Sequence, residues 1–288
     1  MPYTTLVDTA ALAKHFTDAA WVVLDCRHDL ANHDAGRAAF DAGHIPGAQF
    51  ADVERDLAGE KISSTGLFRG RHPLSEREAF LETLRRWGIN DTSQVIAYDA
   101  QGGIFAARLW WMLRWIGHDA VAVLDGGLQA WEAAGLPLGT EVKPRPPGEI
   151  SLQPSTVAVV TVGDVLAGLT AAKPPLILDA RAPDRFNGEN ETLDPVGGHI
   201  PGAQNRFFKN NLQGDGRFKP DYQLLTEFSA VMASPANTIS QCGSGVTACH
   251  NLLAMEIAGL PGAALYPGSW SEWCADPTRP IEKDGETS

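Results

Sequence analysis

Gly43-His44-Ile45-Pro46-Gly47-Ala48-Gln49 returns, residue for residue, as Gly198-His199-Ile200-Pro201-Gly202-Ala203-Gln204. A run of identical positions this long is very improbable by chance, so the chain reads as two copies of one plan. The surroundings agree. Val22-Val23-Leu24-Asp25-Cys26-Arg27 precedes the first copy and Leu176-Ile177-Leu178-Asp179-Ala180-Arg181 the second. Each is a short apolar run ending in Asp-x-Arg, the pattern of a buried strand leaving a parallel sheet. Downstream, Val95 to Asp99 and Thr238 to Cys242 are second strands, each followed by a glycine-containing loop and an apolar helix, through Ile116 and about Ala258. Third strands follow at Ala120 to Leu124 and Ala263 to Tyr266. Each copy then closes alike, with Gly126-Gly127-Leu128-Gln129-Ala130-Trp131 beside Gly268-Ser269-Trp270-Ser271-Glu272-Trp273. Strands alternating with helices predict two tandem α/β domains, each a mainly parallel sheet with helices on both faces.

The domains are expected at 1–140 and 156–288. Between them, residues 141–155 carry Pro144, Pro146, Pro147 and Pro154, an extended and semi-rigid linker. The tail from Asp276 reads as a surface extension.

The chain has 288 residues, 44% hydrophobic and 20% charged, the balance of a globular protein with real cores. No apolar run approaches the roughly 20 residues that span a bilayer, and the N-terminus lacks the basic start and apolar stretch of a secretory signal. The cytoplasm is therefore the expected location. A net charge of −12 disfavours nucleic-acid and membrane partners and requires a local positive patch for any anionic substrate. Cys26, Cys242, Cys249 and Cys274 form no C-x-x-C pair and no zinc-ligand spacing, and they are too sparse for a disulfide scaffold. No metal is expected.

Where duplication explains the fold, divergence locates the chemistry. The same strand end carries Asp99 in one copy and Cys242 in the other, and ligands of open α/β sheets bind at carboxyl ends of strands. Cys242-Gly243-Ser244-Gly245-Val246-Thr247 is a short turn that can aim its amides inward as an anion-binding concavity, and the helix starting near Val246 adds the positive end of its dipole. That setting favours a thiolate and could hold a persulfide. The bland alternative, a small buried residue ending a strand, fits the other three cysteines better. A phosphatase loop of the C-x5-R type would need arginine where Ala248 stands. His44 and His199, present in both copies, and the pairs Asp25/Arg27 and Asp179/Arg181 are read as structural.

The two GHIPGA motifs, the CGSGVTA loop and the closing GSWSEW together resemble the tandem-domain sulfurtransferases of the rhodanese superfamily over nearly the whole chain. The resemblance implies two rhodanese-like domains, an inactive N-terminal one with Asp99 in the cysteine's place and a C-terminal one in which Cys242 cycles between thiol and persulfide. Gly243-Ser244-Gly245 matches members that use 3-mercaptopyruvate, whereas thiosulfate-preferring members carry basic residues there. The resemblance also assigns Arg185 to the substrate anion, with Gly243, Gly245, Val246 and Thr247 as the binding loop. It further implies a relay of Ser244, His72 and Glu54. Three departures stand out: Glu54 stands where aspartate is more usual, Asn187 to Pro195 holds no second arginine, and Pro267 replaces a usual aspartate. The expected partners are a small anionic sulfur donor and a thiol, cyanide or thioredoxin-like acceptor, with no cofactor required. Thiosulfate as donor and a non-catalytic binding module remain the alternatives.

Overall fold

The computed structural model describes residues 1–283 in two compact units. The first holds β1 (Leu6–Val7), β2 (Trp21–Asp25), β3 (Gln49–Phe50), β4 (Gln94–Tyr98) and β5 (Val121–Leu124) in the order β1-β5-β4-β2-β3. The second holds β6 (Ala158–Val159), β7 (Leu176–Asp179), β8 (Gln204–Asn205), β9 (Thr238–Gln241) and β10 (Ala264–Leu265) in the order β6-β10-β9-β7-β8. Every strand pair in both sheets is parallel. The two orders are the same order, as a repeated sequence demands. Helices cover the sheets, so the central strands are buried almost throughout: Trp21–Asp25 and Gln94–Tyr98 are mostly apolar, whereas Thr238–Gln241 is buried although three of its four residues are polar.

Helices Ala106–Trp115 and Thr247–Ile257 occupy equivalent places and are buried on nearly every side, mostly apolar but with Arg108 buried in the first and His250 and Asn251 in the second. Phe40, Tyr98 and Trp131 fill the first core. Tyr266, Trp270 and Trp273 fill the second.

The repeated heptapeptide makes the same contacts twice. His44 Nδ1 bonds the Phe40 carbonyl (2.8 Å) and its ring stacks on Phe40. His199 does so with Phe186 (3.0 Å). Arg27 grips Asp25 and the Gly43 carbonyl, and Arg181 grips Asp179 and the Gly198 carbonyl. The histidine backbones then pair with the segment that closes each copy, His44 with Gly139 and His199 with Glu282. Up to Lys283 the tail is therefore pinned along the surface, with Trp273 Nε1 also donating to the Pro280 carbonyl (2.9 Å); the rest of the expected extension lies outside the described residues. Residues 141–155 form no helix or strand, and Gly148 and Ile150 bond the carbonyls of Arg85 and Ile89.

Compactness cuts across the sequence halves. Residues 60–74 belong to the second unit and 212–218 to the first. Both contain the same small hairpin, closed by the bridges Ile62–Phe68 and Leu212–Phe218 and turned at Gly66 and Gly216 with φ of +82° in each.

Candidate functional site

The loop after β9 belongs to the second unit. Cys242 is 2% exposed, and the Gly245 amide donates to its Sγ at 3.2 Å. Gly245 has φ +79°, and a Cβ there would lie 2.3 Å from the Pro267 carbonyl oxygen, so only glycine closes this turn. Val246 caps the helix, which begins at Thr247. Gly243, Gly245, Val246 and Thr247 thus form the turn that leads from Cys242 into an eleven-residue helix, and of these the Gly245 amide reaches the thiol.

The backbone of Cys242 is tied down by its neighbours. Its amide donates to Ser269 Oγ (3.0 Å), whose hydroxyl donates to the Tyr266 carbonyl (2.9 Å), and its own carbonyl accepts from the Trp270 amide (3.0 Å). Among the described residues, Ser269 is the non-glycine residue with positive φ, +54°. Copy one has Gly127 there at φ +58°. Copy two thus keeps the strained backbone and uses a serine, which gains a hydroxyl that anchors the Cys242 peptide.

Ser244, expected in a relay, bonds His72 Nδ1 through its Oγ at 2.8 Å. Both are buried, and His72 reaches the loop because residues 60–74 are part of this unit. Glu54 lies in the first unit, its carboxylate 3.7 Å from His33 Nδ1. Ligand atoms of His28, His33 and Glu54 lie within 4.8 Å of one another, near enough to share a cation.

Arg185 points at the loop: a Cβ on Gly243 would lie 3.4 Å from its Nη2. Its guanidinium is held by Glu191 (2.9 and 3.0 Å) and by Asp194 (3.4 Å). Burial opposes charge on Glu191, but Arg185 and the Leu193 and Asp194 amides outweigh it and hold the carboxyl below its ordinary range. Arg71, which the sequence reading passed over, reaches the same point from the other side. Its Nη2 lies 2.8 Å from that Cβ position, and its Nη1 is paired with Asp194.

The remaining thiols are set differently. Burial, with the Asp194 carboxylate, pushes Cys274 up to about 11. Burial beside Asp99 and Asp25 pushes Cys26 well up. Both stay protonated at neutral pH. Cys249 is buried, its thiol directed to the Gly245 carbonyl (3.4 Å).

The equivalent loop of the first unit displays what such a turn can bind. The Asp99 carboxylate accepts from the amides of Gln101, Gly103, Phe105 and Ala106 at 2.8–3.0 Å. Burial pushes this carboxyl up and the amides pull it back. An anion cradled by main-chain hydrogens is therefore built into one copy.

The rhodanese-like domain matches residues 8–134 and 161–276. A probable 3-mercaptopyruvate sulfurtransferase of Pseudomonas aeruginosa is 46% identical over 280 residues, 96% of this chain and 97% of that one. A putative thiosulfate sulfurtransferase of Mycobacterium tuberculosis, SseB, is 40% identical over 90% of this chain and 89% of its own length. Among solved structures, SseA of Escherichia coli, described with the 3-mercaptopyruvate sulfotransferases, superposes with a TM-score of 0.78 at 35% identity, covering 93% of this chain and all of that one. Among the described residues no helix is long and apolar enough to cross a membrane. With two parallel sheets of one topology and a domain match in each half, the chain belongs to the rhodanese family of sulfurtransferases.

Proposed function

We propose that this protein moves sulfur from 3-mercaptopyruvate to a thiophilic acceptor in two steps through Cys242. The Cys242 thiolate attacks the donor's sulfur, and the carbon–sulfur bond breaks with its electron pair passing to carbon, giving the enolate of pyruvate. The proton carried by the transferred sulfur reaches that carbon through Ser244 and His72, leaving pyruvate and a Cys242 persulfide anion. Arg185 holds the donor carboxylate, and the amides of residues 243–247 hold the charge on sulfur without reorganising. A small thiol, cyanide or a thioredoxin-like protein then attacks the outer sulfur and releases the Cys242 thiolate.

The observation that carries this reading is the Ser244–His72 hydrogen bond beside a loop-bound cysteine. A proton donor at that point serves a donor whose leaving group is a carbanion. Sulfite leaving from thiosulfate needs no proton. The four cysteines are free, as suits the cytoplasm, where we place the reaction.

The relationship to SseB keeps thiosulfate as a second reading. Steady-state kcat/KM with each donor, cyanide as acceptor, separates the two. Mercaptopyruvate is expected to exceed thiosulfate by at least about 100-fold, well short of the roughly 10⁴–10⁵ that a site built around a substrate's polar group can reach. Equal or reversed values would overturn the assignment.

A further inference from the structure

We infer that Arg71 is a second donor-binding residue, forming with Arg185 a two-guanidinium clamp for a single carboxylate above Gly243. The inference rests on the mercaptopyruvate reading and names how that donor is selected.

Arg71 is fixed to the nucleophile loop by its own backbone. Its amide donates to Ser271 Oγ (3.1 Å), and the Ser271 amide donates to the Gly243 carbonyl (2.9 Å). Gly70 before it has φ +101°, and a Cβ there would lie 2.7 Å from the Gly268 carbonyl oxygen, so glycine permits the close approach. His72 after it bonds Ser244. The segment that delivers the relay histidine therefore delivers Arg71 in register with it.

Both guanidiniums converge on the first residue after the nucleophile, with Nη2 of Arg71 at 2.8 Å and of Arg185 at 3.4 Å from the space a Gly243 side chain would fill. A side chain here would occupy the place of the ligand, which gives this glycine a reason beyond the turn. Asp194, 3% exposed, is shared between the two cations, one oxygen to each. The arginine side chains remain 25% and 20% exposed. A guanidinium has five N–H donors in a planar fork, enough to hold Asp194 and a substrate carboxylate together.

The charges also set which anion fits. Arg71, Arg185 and Arg181 are balanced by Asp194, Glu191 and Asp179. With no large excess of positive charge, the second negative charge of a dianion gains little while losing its hydration. A monocarboxylate thiol such as mercaptopyruvate suits the clamp better than thiosulfate.

The test is steady-state kinetics of the full chain with both donors, for wild type, Arg71→Gln, Arg71→Lys and Asp194→Asn. Arg71→Gln is expected to raise KM for mercaptopyruvate about tenfold or more, the usual cost of a lost charge-assisted hydrogen bond, with kcat within about twofold. Arg71→Lys, which restores a point charge without the fork, recovers part of that loss. Asp194→Asn shifts the ratio of the two kcat/KM values toward thiosulfate. Unchanged KM in both Arg71 variants, or a fall confined to kcat, overturns the clamp. If Arg71→Gln melts well below wild type, Arg71→Lys decides alone, since it keeps the backbone tethers: an unchanged KM there sinks the proposal. Failure of the wild-type protein to turn over mercaptopyruvate would instead sink the reading of function.

Discussion

Cys242→Ser is expected to lower sulfur transfer from either donor by about 10⁴-fold or more while leaving the fold intact. An alcohol at this position is a poor nucleophile toward sulfur and forms no persulfide. The hydroxyl still accepts the Gly245 amide that now reaches Sγ, and the tethers through Ser269 and Trp270 act on the backbone alone. Stability should therefore change by no more than about 1 kcal/mol. Thermal melting checks the fold and coupled turnover checks the chemistry. Residual transfer above about 1% in a folded variant would move the nucleophile elsewhere. Cys26 and Cys274 are poor substitutes, since burial keeps both thiols protonated.

The second large effect is expected in the first unit, at Asp99. Asp99→Ala should destabilise the first unit by about 3–5 kcal/mol, because four amides would lose the acceptor they share. One carboxylate oxygen serves Gln101 and Gly103, and the other serves Phe105 and Ala106. Asp99→Asn keeps one oxygen and turns an NH₂ group toward the other two amides, so roughly half or more of the cost should remain. Urea unfolding measures the loss, and hydrogen exchange over residues 101–106 localises it. A change under about 1 kcal/mol, with protection of those amides retained, would mean that the carboxylate does not organise the loop.

The two copies explain why so much was readable without coordinates. The heptapeptide repeat and the Asp-x-Arg strand ends placed the central strands of both sheets within a residue or two of where they lie. Setting Asp99 against Cys242 picked out the loop, since a shared scaffold makes any difference at a strand end conspicuous. What local pattern does not encode stayed hidden. The hairpins at 60–74 and 212–218 join the unit opposite to their sequence half, a matter of long-range packing rather than periodicity. Arg71 has a partner 123 positions away, so nothing near it in sequence distinguishes it from a solvated arginine. Ser269 did leave a trace: Gly127 stands opposite it in the repeat, at a site where copy one adopts φ +58°. A serine held in a glycine conformation marks a backbone that its surroundings fix, legible only once the backbone angle is known.

Intact-mass spectrometry of the protein after brief exposure to 3-mercaptopyruvate tests most directly whether the amide-lined cysteine carries sulfur. The expected spectrum shows wild-type chain heavier by one sulfur atom, the added mass mapping to the peptide that contains Cys242 and vanishing on addition of cyanide. Cys242→Ser should show no gain. An unmodified wild-type chain, or an added sulfur that persists in Cys242→Ser, would contradict the assignment.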